Sequence, residues 1–407
     1  MASGDKFPGR VDIGEVFYVK RSGSKTNIRN FMIEANINAT IMHSSLRARF
    51  VLVDAKNLLE KLRVEVGDAI QYNWTANSQE KTLDLRITKV DNIINMDNQK
   101  MFSIECRSNL QYISQFTKIS RAYKGTYSDI ALSIFEDYAE GSTAAFWEQS
   151  EGNRSLVVPN WGPVQTLRWL SENSKAVDDN VNMKFFQACD GTYYFGSVEG
   201  IQAAQPEACH TFSYNVSTAY TEKGTPNVQN EYRKIEEINF SPFTDFKDLA
   251  PALASTSKVV DLTTKTMKVT NYDYWSQFKN SMNKGVSHSP ELMGEGKIFE
   301  KAIAKETYTG IEDNNIDNLT QLKKTLLRAG QSITINVMGN AVVDVGKMVN
   351  IEIPSGEPVS STHDGLDELW SGRYIVVAKK EIHRKEKHSM ALTLVKDSFR
   401  NEGYRNV

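Results

Sequence analysis

Between residues 31 and 41, hydrophobic and polar positions alternate from Ile33 onward. The apolar positions are Ile33, Ala35, Ile37, Ala39 and Ile41. This period of two predicts a half-buried β-strand, because successive side chains of a strand point to opposite faces. The same period from Leu46 to Leu52 predicts a second strand. A helical turn at 57–62 and strands at 69–74, 83–90 and 101–106 follow, and such closely spaced short strands indicate a small antiparallel barrel or sandwich.

The periodicity becomes helical after residue 112. Thr126 and Asp129 have the spacing of a helix N-terminal capping box, and the apolar stripe that follows ends before Gly141. A second helix is predicted from Pro163, because proline suits the first helical position, where its missing N–H needs no partner. A hairpin is predicted around Asp190-Gly191.

Residues 200–320 are polar and irregular, with strands predicted at 233–240 and 258–269. A helical stripe returns over 316–326 and stops at Gly330. Strand alternation resumes at Ile333 and continues toward the C-terminus.

One block of sequence occurs twice, as VEVGDAI at 64–70 and as VDVGKMV at 343–349. Each copy is followed by a strand (83–90 or 374–382), a charged turn and a final alternating strand. A glycine in this position permits a sharp turn into a strand, through a positive φ or a close backbone approach. The structural turn candidates are Gly67, Gly346, Gly191 and Gly372. The repeat indicates two similar β units in one chain, so a trimer would present six of them.

Composition narrows the class of protein. The 407 residues are 40% hydrophobic and 24% charged, which is typical of a globular protein, and this length predicts two to four domains. The net charge of −2 is too small to produce an electrostatic field that would attract nucleic acid or membranes. Three cysteines without a CxxC pair indicate a reduced environment. The first ten residues lack the apolar core of a signal peptide. We therefore expect cytoplasmic assembly and no stable membrane association.

Candidate chemistry is sparse in the sequence. Histidines occur singly except for His383 and His388, and HxxxH, HExxH, GxSxG, Walker A and GxGxxG patterns are absent. Adjacent carboxylates such as Glu136-Asp137 and Glu236-Glu237 are more typical of a solvated face than of an acid/base pair. We predict no catalytic residues, no cofactor and no metal site.

Two further groups of residues have competing interpretations. The first is a basic group that could contact phosphate, although a charged hairpin also protects a sheet edge from aggregation, which we favour. Its members are Lys379, Lys380, His383, Arg384, Lys385 and Lys387. The second is Trp147, Trp161 and Trp169, which could stack on sugars but which we expect to pack between helix and sheet.

Several segments, taken in order, carry a resemblance to a known family. They are Val158-Pro159-Asn160-Trp161 before the Pro163 helix, the hairpin at Asp190-Gly191, Val345-Gly346, Ser371-Gly372-Arg373-Tyr374-Ile375 and the closing strand from Leu392 to Leu394. The sequence resembles the central baseplate hub protein of contractile-tailed bacteriophages, which is related to the hub portion of type VI secretion spike proteins. The likeness extends over most of the chain.

This resemblance implies a β-rich α+β fold, with two antiparallel tube-type β-barrel domains and a mixed α/β middle domain. It implies a first barrel at 1–112, a middle domain at 113–227 with 271–318, a second barrel at 228–270 with 319–398, and a tail at 399–407. The loop from Ser355 to Trp370 has no counterpart after Gly67 and could be a contact specific to this particle.

The implied function is that of a non-enzymatic virion component in the tail baseplate. The chain would form a homotrimeric, pseudo-sixfold ring, with the tail tube protein above, the central spike protein below and other baseplate proteins around it. DNA would pass through the lumen only in transit. A tail-associated cell-wall hydrolase and a receptor- or glycan-binding tail module are the alternatives.

Overall fold

The structure is a computed structural model of the chain. It describes residues 9–54, 58–96, 99–177, 183–205, 207–215, 228–241, 254–261, 265–273, 297–303, 331–356, 365–367 and 369–396. The predicted helix at 316–326 and most of the loop predicted at 355–370 lie outside the described residues.

The first β unit is built from the N-terminal strands. Its elements are β1 (Asp12–Val19), β2 (Lys25–Asn27), a 3-10 helix (Arg29–Phe31), β3 (Met32–Thr40), β4 (Arg47–Asp54), α1 (Leu58–Leu62), β5 (Ala69–Ala76), β6 (Gln79–Met96), β7 (Gln99–Ser108) and α2 (Asn109–Phe116). The predicted alternation is confirmed in β4, where Ala48, Phe50 and Leu52 are buried. In β3 the pattern fails at Ile33, which is 41% exposed. The helix α2 was not predicted.

The middle of the chain is a mixed α/β region with a core of its own. Its elements are β8 (Ala122–Gly125), α3 (Tyr127–Tyr138), β9 (Ala144–Trp147), β10 (Arg154–Val157), α4 (Pro163–Asn173), β11 (Lys184–Gln187), β12 (Tyr193–Gly196) and α5 (Val198–Ala203). The predicted cap of α3 is confirmed, since the Thr126 hydroxyl accepts a hydrogen bond from the Asp129 amide at 3.1 Å. Pro163 begins α4 as predicted.

The remaining elements form the second β unit and a separate small sheet. They are β13 (His210–Ser213), α6 (Val228–Arg233), β14 (Ile235–Ser241), β15 (Ala254–Asp261), β16 (Thr266–Asp273), β17 (Lys297–Ile303), β18 (Gln331–Met338), β19 (Met348–Glu352), β20 (Gly372–Arg384) and β21 (Lys387–Lys396). The single strand predicted at 258–269 is wrong, because the chain turns at Lys265 with φ +55° and forms the β15–β16 hairpin. β17 joins this hairpin to complete the small sheet.

The two β units have the same strand order. The first runs β3-β4-β7-β6-β5-β1 and the second runs β14-β18-β21-β20-β19-β13. Every matching pair is antiparallel except the last, where β13 lies parallel to β19 while β1 is antiparallel to β5. The predicted class, a β-rich α+β fold with two related antiparallel units and a mixed middle region, is confirmed.

The repeated glycines make the same turn in both units. Gly67 has φ +94° and Gly346 has φ +80°, which is why this position favours a residue without a Cβ. The Gly67 amide donates to the Ile87 carbonyl at 2.8 Å, and the Gly346 amide donates to the Val376 carbonyl at 2.9 Å. A β-bulge then follows each of these acceptors, after Ile87 in β6 and after Val376 in β20. The duplication therefore extends to individual hydrogen bonds.

The predicted domain borders stay predictions, and two strands bear on where they would run. β13 lies inside the range 113–227 assigned to the middle domain, but it pairs with β19. The border at 270 falls within β16, which pairs with β15 on one side of that border.

Candidate assembly interface

The two β units are joined by a continuous antiparallel ladder. Residues 378–384 of β20 pair with residues 34–40 of β3, from Ala378 opposite Thr40 to Arg384 opposite Glu34. The guanidinium of Arg384 also forms an ion pair with the Glu34 carboxylate at one end of this junction. Among the described residues, thirteen strands therefore form one sheet.

A buried ionic cluster lies along this junction. The Lys379 ammonium donates to the Glu381 carboxylate and to the Val343 carbonyl, and it lies 4.0 Å from the carboxylate of Asp344. The side chains of Lys379 and His383 are fully buried. Lys379, Glu381 and His383 share one face of β20, because they are two residues apart along the strand.

The charge states of the cluster follow from burial and from these partners. Burial opposes the charged form of Lys379, but Asp344 and Glu381 outweigh it and raise the pKa of the ammonium. Burial likewise opposes the charged form of Glu381, but Lys379 outweighs it and lowers the pKa of that carboxyl. Burial lowers the pKa of His383 to about 4 and that of His388 to about 3. Both imidazoles are therefore neutral near pH 7.

The first unit covers this cluster with aromatic side chains from β5. The Tyr72 ring stacks on His383 with centroids 5.9 Å apart, and Trp74 lies 5.6 Å from the same imidazole. The Tyr72 hydroxyl forms a 2.7 Å hydrogen bond with His383 Nδ1. These contacts join the two units through side chains as well as through backbone.

These positions correct the interpretation of the basic group as a charged hairpin at a sheet edge. The hairpin itself is present, with Lys385 in its turn at φ +51°. Its strand β20 is paired on both sides, with β21 and with β3, so it is not an edge. Lys379 and His383 face the interior, whereas Lys380 and Arg384 face outward.

Each unit has a strand segment that pairs along only one side among the described residues. In the second unit β14 pairs with β18 along one side, whereas its counterpart β3 pairs with β4 and with β20. In the first unit residues 89–96 of β6 pair with β7, whereas the counterpart segment 378–384 of β20 pairs with β21 and with β3. The described chain thus has one β14-type edge and one β6-type edge left over.

Exposed apolar side chains mark both of these edges. Phe240 on β14 is 42% exposed and Ile94 on β6 is 46% exposed. β6 has a second bulge between Asp91 and Ile94 that β20 lacks, so Ile94 corresponds to Ile382 of the joined edge. Neither Ile94 nor Phe240 was predicted from the sequence to lie at a sheet edge, because an edge strand cannot be recognised until its pairing partners are known.

The four turn glycines are dispersed and form no common site. Gly67 and Gly346 begin equivalent strands in different units, Gly191 lies in the β11–β12 hairpin, and Gly372 begins β20. All four have positive φ. A Cβ at Gly346 would lie 3.2 Å from the Phe186 ring, so this turn also packs the second unit against the middle region.

The three tryptophans pack within the middle region. Trp147 stacks on Phe195 with centroids 4.7 Å apart, and its indole N–H donates to the Ser128 carbonyl at 3.1 Å. Trp161 and Trp169 contact each other at 5.6 Å. These partners agree with a role in packing between helix and sheet.

Comparison with known proteins finds likeness in structure but not in sequence. No protein-family model matches the chain, and no curated protein matches it. The tail protein from Neisseria meningitidis has a TM-score of 0.55 at 11% identity, with 94% of this chain and 97% of that chain covered. The 43 kDa tail protein of prophage MuSo2 from Shewanella oneidensis has a TM-score of 0.56 at 8% identity, with 94% and 98% covered. The Escherichia coli c3393 protein, a type VI secretion component, has a TM-score of 0.46 at 8% identity, with 96% and 77% covered.

The first two likenesses extend over nearly the whole of both chains. The chain therefore has the fold of phage tail proteins, and the predicted resemblance to the baseplate hub is confirmed as a likeness of fold. In the described part of the chain, no helix has the length and apolar character needed to cross a membrane.

Proposed function

We propose that the protein is the structural hub of a phage-type tail baseplate, in which three copies form a ring that joins the tail tube to the central spike. The fold shared with phage tail proteins supports this class of function, although a fold alone does not determine a function. The proposal rests on two strand edges, β14 and the end of β6, that pair along only one side among the described residues. The counterparts of these edges, β3 and the end of β20, pair with each other within the chain.

The duplicated topology dictates how copies would meet. Within one chain, β3 of the first unit pairs with residues 378–384 of β20. By the same rule, β14 of one copy would pair with residues 89–96 of β6 in the next. This contact is head-to-tail, so it closes only if the rotation between copies returns to the start. Three copies would then have six similar junctions, three within chains and three between them.

The register of the proposed contact follows from the register within the chain. Ile382 lies opposite Asn36 at the internal junction. Ile94 takes the place of Ile382 in the first unit, and Asn239 takes the place of Asn36 in the second unit. The corresponding pair between copies is therefore Ile94 opposite Asn239. An obligate interface of this kind can bury more than about 2,000 Å².

In such a ring, each face would have the symmetry of the protein that it contacts. Its pseudo-sixfold face would continue the tail tube protein, its threefold face would receive the spike protein, and other baseplate proteins would surround it. The lumen would pass DNA without binding it. The protein would act in the virion after assembly in the host cytoplasm, and its work would be mechanical rather than catalytic.

The test is the molar mass of the purified full-length chain at micromolar concentration, measured by light scattering after size exclusion. We expect three times the mass of one chain, and class averages of negatively stained particles should show a ring of six similar lobes. A stable monomer would contradict the proposal. Clearing of peptidoglycan by the purified protein would instead support the cell-wall hydrolase.

A further inference from the structure

We propose that Glu381, His383 and His388 form a buried binding site for one divalent transition-metal ion of the zinc class. The geometry points to this site independently of the ring, since all three side chains belong to one hairpin of one chain. Their ligand atoms all lie within 4.8 Å of one another. Imidazole nitrogens and a carboxylate oxygen are ligands that Zn²⁺ takes in proteins.

The β20–β21 hairpin brings the three residues together. His383 and His388 lie directly opposite each other across the hairpin, and their rings are 4.5 Å apart in an edge-to-face arrangement. Glu381 is two residues before His383 and therefore shares its face of the sheet. The positioning depends on the antiparallel register and not on a helical spacing, which is why metal-motif patterns do not detect it.

The distances between the three side chains are somewhat longer than those around a tetrahedral ion. His383 Nε2 lies 3.6 Å from Glu381 Oε2, the oxygen that Lys379 leaves unpaired, and His388 Nε2 lies 4.0 Å from Oε1 of the same carboxylate. A tetrahedral zinc with bonds of about 2.0–2.1 Å separates its ligand atoms by about 3.4 Å. The three ligand atoms lie within 4.8 Å of one another, so both imidazole rings would turn toward Glu381 Oε2 to close the site. Three protein ligands leave a fourth position for water.

The same atoms lack hydrogen-bond partners, which is the second observation. Glu381 Oε2, His383 Nε2 and both ring nitrogens of His388 are buried without a partner. Buried polar atoms are nearly always paired, so unpaired ones at one point call for an ion or a water. Three of them, one from each side chain, lie within 4.8 Å of one another, and three such atoms favour an ion, because a single water can donate only two hydrogen bonds.

Neighbouring groups orient the proposed ligands. With His383 Nδ1–H donating to the Tyr72 hydroxyl, the Nε2 lone pair is free for the metal. Lys379 holds Glu381 Oε1 and leaves Oε2 unpaired. A Cβ at Gly339 would lie 1.9 Å from His388 Cγ, so the absence of a side chain there makes room for the imidazole.

Charges of both signs surround the proposed site. The buried cluster contains two carboxylates, Asp344 and Glu381, and one ammonium, Lys379, and the ammonium of Lys81 is near enough to act on Glu381 and on both imidazoles. A bound ion would hold the β20–β21 hairpin of the second unit in contact with Tyr72 of the first unit.

The test begins with the full-length chain, produced in zinc-supplemented medium and purified without chelators, with its metal content measured by mass spectrometry. We expect about one zinc ion per chain, as for a site with one set of ligands. The variants His388→Gln and Glu381→Gln should retain less than about a tenth of that. The control His43→Gln changes an exposed histidine outside the cluster and should keep the full content.

A second measurement does not depend on whether the variants fold. Wild-type protein stripped with a chelator should regain several degrees of melting temperature when Zn²⁺ is added, and Co²⁺ should give the visible absorption of a tetrahedral site. Wild-type protein without bound metal, or without a response to either ion, would overturn the proposal and leave a water-filled cluster. Zinc retained by His388→Gln would also overturn it. These outcomes do not depend on the oligomeric state, so they are distinguishable from a failure of the ring.

Discussion

The Lys379 ammonium donates a hydrogen bond to the Glu381 carboxylate, two residues further along the same strand, and neither side chain is exposed to solvent. Removing one partner of a buried ion pair leaves an uncompensated charge in a medium of low dielectric constant. We therefore expect Lys379→Met to lower the free energy of unfolding by about 3–5 kcal/mol, measured by urea denaturation.

The neighbouring residue provides a matched control for that variant. Lys380 lies on the opposite face of β20 and is exposed, so Lys380→Met should change the stability by less than about 1 kcal/mol. Equal effects of the two substitutions would show that the buried pair is not what stabilises the junction.

The open edge of the first unit gives a prediction about assembly. Ile94→Asp places a carboxylate within the proposed strand pairing between two copies, and burying an unpaired charge is strongly unfavourable. The dissociation constant of the proposed trimer should rise by at least about 100-fold, which corresponds to about 2.7 kcal/mol. Sedimentation velocity over a concentration series measures it.

The corresponding change on the other edge is Phe240→Asp, which should have a similar effect. Val157 is also an exposed apolar residue on a strand, but it lies on β10 in the middle region. Val157→Asp should therefore leave assembly unchanged. Loss of the trimer in all three variants would assign the effect to general destabilisation.

The repeated turn predicts a cost for any side chain at Gly346. Alanine there must adopt φ near +80°, which costs an L-residue about 1–2 kcal/mol, and its Cβ would press on Phe186. Gly346→Ala should therefore reduce the stability by at least that amount in thermal or urea unfolding. Gly356 has open space around it, and Gly356→Ala should change the stability by no more than about 0.5 kcal/mol.

The aromatic packing of the middle region separates a packing role from glycan recognition. Trp147→Ala removes the stack on Phe195 and the hydrogen bond to Ser128, so we expect about 2–4 kcal/mol of destabilisation. The control Phe116→Ala removes a ring that is 72% exposed and should be nearly neutral. A stable Trp147→Ala protein that had lost binding on a glycan array would favour the recognition module instead.

Local patterns in the sequence were enough to predict much of the fold. Alternation through Phe50 located β4, and the capping box at Thr126 located α3, because each pattern reflects contacts among residues close in the chain. The repeat of Gly67 at Gly346 indicated two related units, since one turn geometry requires one residue type. Long-range pairing left no such signal, and the hairpin turn at Lys265 was missed.

The buried cluster was mispredicted for a specific physical reason. Before the bulge Tyr374 and Val376 lie on one face of β20, and continuing their alternation would place Lys379 and His383 on the opposite face. The bulge after Val376 inserts one residue and reverses the faces, so the charged residues point inward. A bulge depends on how strands pair, and the periodicity of a single strand does not record it.

The strand β20 belongs to both units at once, since its first residues pair with β19 and its last seven pair with β3. Rotating one unit relative to the other would break this ladder and would move the Tyr72 and Trp74 rings away from the buried charges that they cover. A force applied to one β unit should therefore be transmitted to the other through these backbone hydrogen bonds. In the proposed hub, each subunit should therefore move as one rigid body, without bending between its two β units.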